Sequence, residues 1–389
     1  MRRQASLAIL FAVVFIDLLG FGMVIPVLPL YAKTLGAKEA WVGLLSSGYS
    51  AMQLVFAPVW GRLSDRVGRR PVLLASIAMT AIAFAMYGFA SSFAWLLVGR
   101  LFAGIATANI AIAQAYVADV TTPETRAKGM GLIGAAFGLG FVLGPAFGGV
   151  LSRSSLAAPS FAAAALAAAN LVACWLVLGE PQQRRAAARG ARVGGLAPLR
   201  NELSRPGVLG LIAVYFLSIT AFSAMENTYA FLATERYRIE PRNVFWLFAY
   251  IGLIVVVVQG GLIGPLTRLF GEKRLLVAGL LLQGCGLFAL PIAGGIGGLL
   301  AATAPLAVGS GLASPALSAL LSKLARADDQ GGTLGLGQSA AAFGRIVGPE
   351  SGTWTYSNHG PAVPYVGGAM LMAVAAAVAS RIRPQVAET

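Results

Sequence analysis

Apolar runs long enough to form a buried or membrane-crossing helix recur along nearly the whole chain, separated by short clusters of Arg, Gly and Pro. A helix needs about twenty residues to cross a hydrocarbon core about 30 Å thick. Runs of that kind occupy Ser6–Leu30, Trp41–Trp60, Pro71–Ala90, Ala94–Ala118, Gly129–Leu151, Ser160–Leu178, Val208–Ala233, Val244–Leu266, Leu275–Ala293, Ile296–Leu321, Thr333–Tyr356 and Tyr365–Ala379. The pattern predicts an all-α membrane protein of twelve transmembrane helices. Composition agrees: 57% of the 389 residues are hydrophobic and 11% charged, about half the charged fraction of a water-soluble domain. The bilayer is therefore the expected solvent.

A net charge of +14 would suit a nucleic-acid partner if the basic residues shared one face, but they lie between the spans. With both termini cytoplasmic, the inner loops and tails collect Arg2, Arg3, Arg62, Arg66, Arg69, Arg70, Arg126, Lys128, the arginines between 184 and 205, Arg268, Lys273, Arg274, Lys323, Arg326, Arg381 and Arg383. The outer loops keep Lys33, Lys38, Arg153, Arg236, Arg238 and Arg242. This bias predicts a multi-pass inner-membrane protein with both ends inside and no nucleic-acid partner. Asp17 interrupts the first run, which is also too long for a signal-peptide core, so that run reads as the first span. Cys174 and Cys285 each stand alone in an apolar segment, and the lone histidine, His359, sits in an outer Ser-Asn-His-Gly turn. Neither points to a metal, and no cofactor is expected.

The chain repeats itself. Gly61-Arg-Leu-Ser-Asp-Arg-Val-Gly68-Arg-Arg70 between the second and third spans is echoed by Gly264-Pro-Leu-Thr-Arg-Leu-Phe-Gly271-Glu-Lys273 between the eighth and ninth. Gly140-Phe-Val-Leu-Gly144-Pro145 in the fifth is echoed at nearly the same offset by Gly344-Arg-Ile-Val-Gly348-Pro349 in the eleventh. Two motifs repeated together predict a six-helix bundle over 1–180, a cytoplasmic linker over 181–205 and a second bundle over 206–389. Two matched bundles enclose a cavity between them and expose it alternately to either side.

Gly61-Arg-Leu-Ser-Asp-Arg-Val-Gly-Arg-Arg-Pro71 resembles the signature cytoplasmic loop of the major facilitator superfamily. Gly140-Phe-Val-Leu-Gly-Pro-Ala-Phe-Gly-Gly149 is similar to the motif of that superfamily's drug:proton antiporters. With Asp17 to Pro29 and Gly99-Arg100, the set resembles the tetracycline exporters and their multidrug relatives. The resemblance implies a secondary transporter that works as a monomer on a small-molecule substrate and protons. Where tetracycline exporters carry further acids in the third and ninth spans, this chain has none in Pro71–Ala90 and offers Gln283 in the ninth, with Glu226 and Glu350 elsewhere.

The loop reads as a conformational latch. Gly61 and Gly68 permit a tight turn, Asp65 supplies an anion, and Arg66, Arg69 and Arg70 flank it. In the family, the acid matching Asp65 caps the inner end of the eleventh span, here near Gly331–Thr333, an interaction of about 0.5–2 kcal/mol. Asp119 is the second acid of that cluster. Gly140, Gly144 and Gly148, with Pro145 and Gly149, form a flat strip for close helix packing, with Gly252 and Gly260 of the eighth span as its expected complement.

Asp17, Arg100, Glu226, Arg345 and Glu350 lie within spans, where each costs at least ~2.5 kcal/mol unless it faces a cavity or a partner. Asp17 and Glu226 are the favoured proton-responsive acids, with Arg100 balancing the first half and Glu350 a further candidate; a static salt bridge is the competing reading. Tyr49, Gln53, Asn109, Gln114, Tyr215, Phe222, Tyr229, Gln259 and Gln283, with Arg345, would line a mixed aromatic and polar substrate pocket. No nucleophile–base set and no Gly-x4-Gly-Lys-Ser/Thr loop is present, so neither an enzyme nor an ATP-driven pump is expected. Proton-coupled export of amphipathic drug-like compounds is the favoured function; transport of a sugar or other metabolite is the alternative.

Overall fold

The structure is a computed structural model that describes residues 2–107, 112–113, 116–117, 136, 139–140, 142–179, 206–324 and 330–382. Of Asp65 the backbone alone is described. Asn109, Gln114, Asp119 and the 181–205 linker lie outside the described residues.

Among those residues every regular element is helical. The first span is α1 (Arg2–Val24), a 3-10 turn (Ile25–Val27) and α2 (Leu28–Thr34). Pro26 and Pro29 break this span, because each removes a helical N–H. α3 (Glu39–Val67) and α4 (Arg69–Gly88) follow. Then come α5 (Phe93–Ala106), opened by the Ser92 hydroxyl accepting from Trp95 N, and α6 (Val142–Leu151). α7 (Ala158–Val177) completes the first half. The second half holds α8 (Pro206–Glu235), α9 (Val244–Val257), a π-turn (Val258–Leu262) and α10 (Ile263–Ala289). α11 (Gly295–Leu324), α12 (Gln330–His359) and α13 (Val363–Arg381) end it.

Eight helical segments among the described residues are long and apolar enough to cross a membrane. One, Pro241–Ala289, carries two predicted spans, separated inside α10 by Gly271 at φ 74° and ψ 158°. Exposed side chains are themselves apolar, among them Val55, Val59, Trp175, Leu176, Leu253, Phe288, Met370 and Val374, as expected where lipid rather than water covers the protein.

Contacts divide the chain into two units. The first gathers the chain up to Lys38, the described residues from Gly48 to Gly179, and Ile239–Tyr250; the second gathers Glu39–Ser47, the described residues from Gly207 to Arg238, and Ile251 onward. The first turns of α3 thus belong with the second half of the sequence, and those of α9 with the first. Inside the first unit α7 packs on α1 and α4, and α4 packs on α5; inside the second, α13 packs on α8 and α10, and α10 packs on α11. These are the same pairings one repeat apart. The first core is built from Leu10, Val13, Val14, Leu73, Ile77, Tyr116 and Cys174. Trp60 Nε1 donates to the Ile105 carbonyl at 2.6 Å across it.

Candidate functional site

The glycines of the fifth span and their echoes in the eleventh make close backbone approaches within each unit. A Cβ on Gly144 would sit 2.7 Å from Gly22 Cα, and one on Gly140 2.6 Å from Leu18 Cβ, so this strip packs against α1. In the second unit, Cβ atoms on Gly344, Gly348 and Gly352 would meet Phe216, Thr220, Ser223 and Ala224 of α8. The expected complement therefore changes. Gly260 has open space around it, and what reaches the α6 strip from α9 is the Phe245 ring against Gly148 and Gly149. A flat strip is legible from its spacing, whereas its partner is set by which helix crosses it.

The signature loop is tighter than expected. α3 runs through Val67 and α4 begins at Arg69, so the turn is Gly68 alone, at φ 135°. Gly61 is not a turn residue: it stays helical inside α3 with nothing near its Cβ position. Seven residues of separation are two helical turns, which is why the pair looks like a loop in the sequence. Arg69 donates to the Ser64 hydroxyl at 2.6 Å, and Ser64 donates to the Gly61 carbonyl at 2.8 Å. Arg70 donates to the Trp175 carbonyl at 2.6 Å, tying α4 to the end of α7. Between the last two helices, His359 closes α12 in its last turn, 4.9 Å from the Trp354 ring, and the turn expected there is made by Gly360 at φ 104°.

Arg100 is 3% exposed within the first unit. Its Cζ lies 4.4 Å from the centre of the Tyr49 ring and 5.9 Å from that of Tyr87. Aromatic faces disperse a guanidinium charge that lipid would not tolerate, worth about 0.5–2 kcal/mol. Thr107 donates to the Ala103 carbonyl at 2.7 Å, so its oxygen accepts from the Tyr49 hydroxyl 2.9 Å away. Phe21 lies 6.1 Å from the same ring. Asp17 is half-buried on α1, with Oδ1 shut off from solvent; Gln53 is half-buried on α3.

The second unit surrounds Glu350. Its Oε2 is buried and receives no hydrogen bond from the described residues. The start of α3 packs directly on this stretch of α12: a Cβ on Gly43 would fall 2.7 Å from the Pro349 carbonyl oxygen and 2.9 Å from Glu350 Cα. Ser47 donates to the Ile346 carbonyl at 2.5 Å, and Ser46 to Asn227 Oδ1 at 2.6 Å. Thr353 donates to the Pro349 carbonyl at 2.9 Å. Glu226 and Arg345 are half-buried on α8 and α12.

The other expected pocket residues scatter. Tyr229 is fully buried and joined to Thr303 at 2.6 Å; Tyr215 is joined to Ser318 at 2.6 Å. Both tie α8 to α11. Gln283 is 4% exposed where α10 crosses Gly309. Gln259 is exposed in the π-turn, and Phe222 is half-buried on α8. Sequence reasoning missed Tyr87 and Thr107 beside Tyr49, and Ser46, Ser47, Asn227 and Thr353 around Glu350. The polar run Ser46-Ser47-Gly48-Tyr49-Ser50 inside an apolar span was the available signal for two of them, Ser46 and Ser47.

The profile of the Major Facilitator Superfamily matches residues 10–349 and 258–388. The chain belongs to this superfamily. It is 32% identical to the class G tetracycline resistance protein of Vibrio anguillarum over 92% of its own length and 91% of that protein's. To multidrug resistance protein 2 of Bacillus subtilis (strain 168) it is 27% identical, over 90% of this chain and 88% of the other. The crystal structure of the human organic anion transporter MFSD10 superposes with a TM-score of 0.73 at 26% identity, covering 97% of this chain and 99% of that one. A bacterial homologue of the lysosomal transporter Spinster shares the fold at TM-score 0.82 and 16% identity. This member of the superfamily is thus a multi-pass membrane transporter of small molecules and not an enzyme.

Proposed function

We propose that the protein is a proton-coupled antiporter that exports amphipathic, drug-like compounds by alternating access of two six-helix bundles, in the inner membrane with both termini cytoplasmic. The observation that carries this reading is the buried Glu350 Oε2 inside α12, which receives no hydrogen bond from the described residues. An ionised carboxylate at bilayer depth requires a compensating proton or cation, so Glu350 is a group whose charge has to change as its surroundings do. The hydrogen bonds of Ser46 to Asn227 and of Ser47 to the Ile346 carbonyl join α3 to α8 and α12 beside it, so movement of α3 would alter that environment. Asp17 and Glu226 are the further acids of the proposal, and the Arg100–Tyr49 pair supplies a cation and an aromatic face for a substrate. Export is supported by the glycine strip of α6 and by the tetracycline and multidrug resistance relatives.

Purified protein in liposomes containing a pH dye, challenged with amphipathic cations, tetracyclines and sugars, tests the proposal. Substrate-dependent proton movement is expected, and Glu350→Gln is expected to lower it at least tenfold while leaving the protein folded. Asp17→Asn and Glu226→Gln are expected to do the same. Undiminished exchange in all three variants refutes the coupling assignment. A second reading, export of organic anions, draws on the MFSD10 relative and on Arg100 and Arg345; it predicts exchange with an anionic panel that Arg100→Gln abolishes.

A further inference from the structure

The second copy of the signature loop is built differently from the first. Arg268 stands where the first copy has Asp65, and Glu272 and Lys273 stand where it has Arg69 and Arg70. Without its aspartate this loop has lost the anion of the latch, and it opens instead onto a cleft of about 350 Å³ in the second unit. Leu211 of α8, Leu324 of α11 and Ile382 beyond α13 form the cleft's apolar wall, and all three are buried. Its charged rim is Glu272, Lys273 and Arg274 of α10 and Lys323 of α11. Glu272 Oε1 accepts from Lys323 Nζ at 2.5 Å, which among the described residues leaves the rim with a net positive charge carried by Lys273 and Arg274. Beside it, Leu269 is 73% and Phe270 50% exposed.

Cations alone would suit any small anion, and apolar walls alone would suit hydrocarbon. Their conjunction at the end of membrane-crossing helices calls for a ligand with an anionic head and an apolar tail. A volume of this size takes a glycerophosphate head, leaving the acyl chains to run past Phe270 into the bilayer. We propose that the cleft binds the headgroup of an anionic phospholipid, with Lys273 and Arg274 as its phosphate ligands and Glu272 holding Lys323 back from it. A lipid seated there touches α8, α10, α11 and the end of α13 together, and so fastens one end of the second unit. The site is independent of substrate export, since none of its residues belongs to the proposed coupling machinery.

The test is native mass spectrometry of the full-length protein titrated with phosphatidylglycerol, phosphatidylcholine or inorganic phosphate. Wild type is expected to retain phosphatidylglycerol in preference to phosphatidylcholine. Removing both ligands in Lys273→Gln/Arg274→Gln should weaken phosphatidylglycerol binding roughly thirtyfold, equivalent to ~1 kcal/mol for each basic residue. Glu272→Gln, which releases Lys323, should strengthen it several-fold, an effect opposite to that of a merely destabilising change. Equal retention of the two lipids by wild type overturns the proposal, as does unchanged phosphatidylglycerol binding in the double variant. Displacement of phosphatidylglycerol by equimolar inorganic phosphate assigns the cleft to a free anion and overturns it too. If the double variant does not fold, the wild-type lipid preference and Glu272→Gln decide, and transport assays on the same preparation report separately on export.

Discussion

Three motif glycines stand in three different settings in this chain, and only the local geometry distinguishes them. Gly68 supplies a backbone conformation that a side chain resists, at φ 135°. Gly144 supplies thinness, since a Cβ there would press on Gly22 Cα. Gly61 supplies neither, being helical with open space around it. Gly68→Ala should therefore cost about 1–3 kcal/mol through backbone strain, and Gly144→Ala a similar amount through overpacking. Gly61→Ala should leave stability unchanged or raise it by up to about 1 kcal/mol, because alanine is the better helix former. Unfolding midpoints of the purified variants in detergent check the order, and a Gly61→Ala protein as damaged as Gly144→Ala would contradict it. The motif letters announced all three glycines as special; the surroundings that separate them belong to residues far away in sequence. Arg100 makes the same point. Its burial within a span was legible, because a charge there needs shelter, but the Tyr49 and Tyr87 rings that shelter it come from α3 and α4.

Helices in this protein are joined less by hydrophobic force than by close backbone approach and hydroxyl-to-carbonyl bonds, as expected where lipid is as apolar as the side chains. Ser76 ties α4 to the end of α5 in this way by donating to the Ala106 carbonyl at 2.5 Å, while Tyr215 and Tyr229 tie α8 to α11 through the hydroxyls of Ser318 and Thr303. The exposed link between α10 and α11 is ionic. Hydrogen bonding to Lys323 is the largest influence on Glu272 and holds its carboxyl below the ordinary value of 4.5. A depressed carboxylate contributes stability that is present above the unfolded value and is lost as pH falls through the folded one. Wild type should thus exceed Glu272→Gln in thermal stability at neutral pH by no more than about 1 kcal/mol, given the exposure of Lys323. That margin should vanish on acidification from about the ordinary carboxylate value downward. Unfolding midpoints of both proteins across that range provide the measurement, and a margin that grows on acidification would refute the assignment.

At the scale of the whole molecule, the second half repeats the first in its motifs and in its helix pairings, with α1, α4, α5 and α7 answered by α8, α10, α11 and α13. In the proposed orientation, drawn from the distribution of Arg and Lys, both ends and the Gly68 and Gly271 turns face the cytoplasm. A fluorescent reporter fused after Thr389 should therefore mature in cells, and in spheroplasts an impermeant thiol reagent should label Lys38→Cys but not Arg66→Cys. The reverse labelling would invert the topology. Hydropathy by itself determined that the chain crosses the membrane in many helices, because each apolar run must satisfy its own backbone in lipid. The repeated motifs by themselves predicted a two-fold internal plan, because each is a short local signal that recurs at a nearly constant offset. Only the tertiary structure decided that the first turns of α3 lie against Glu350, that the α6 strip meets α1, and that Lys273, Arg274 and Lys323 rim one cleft. Those facts depend on which helices cross and at what height, and no periodicity within a single span encodes that.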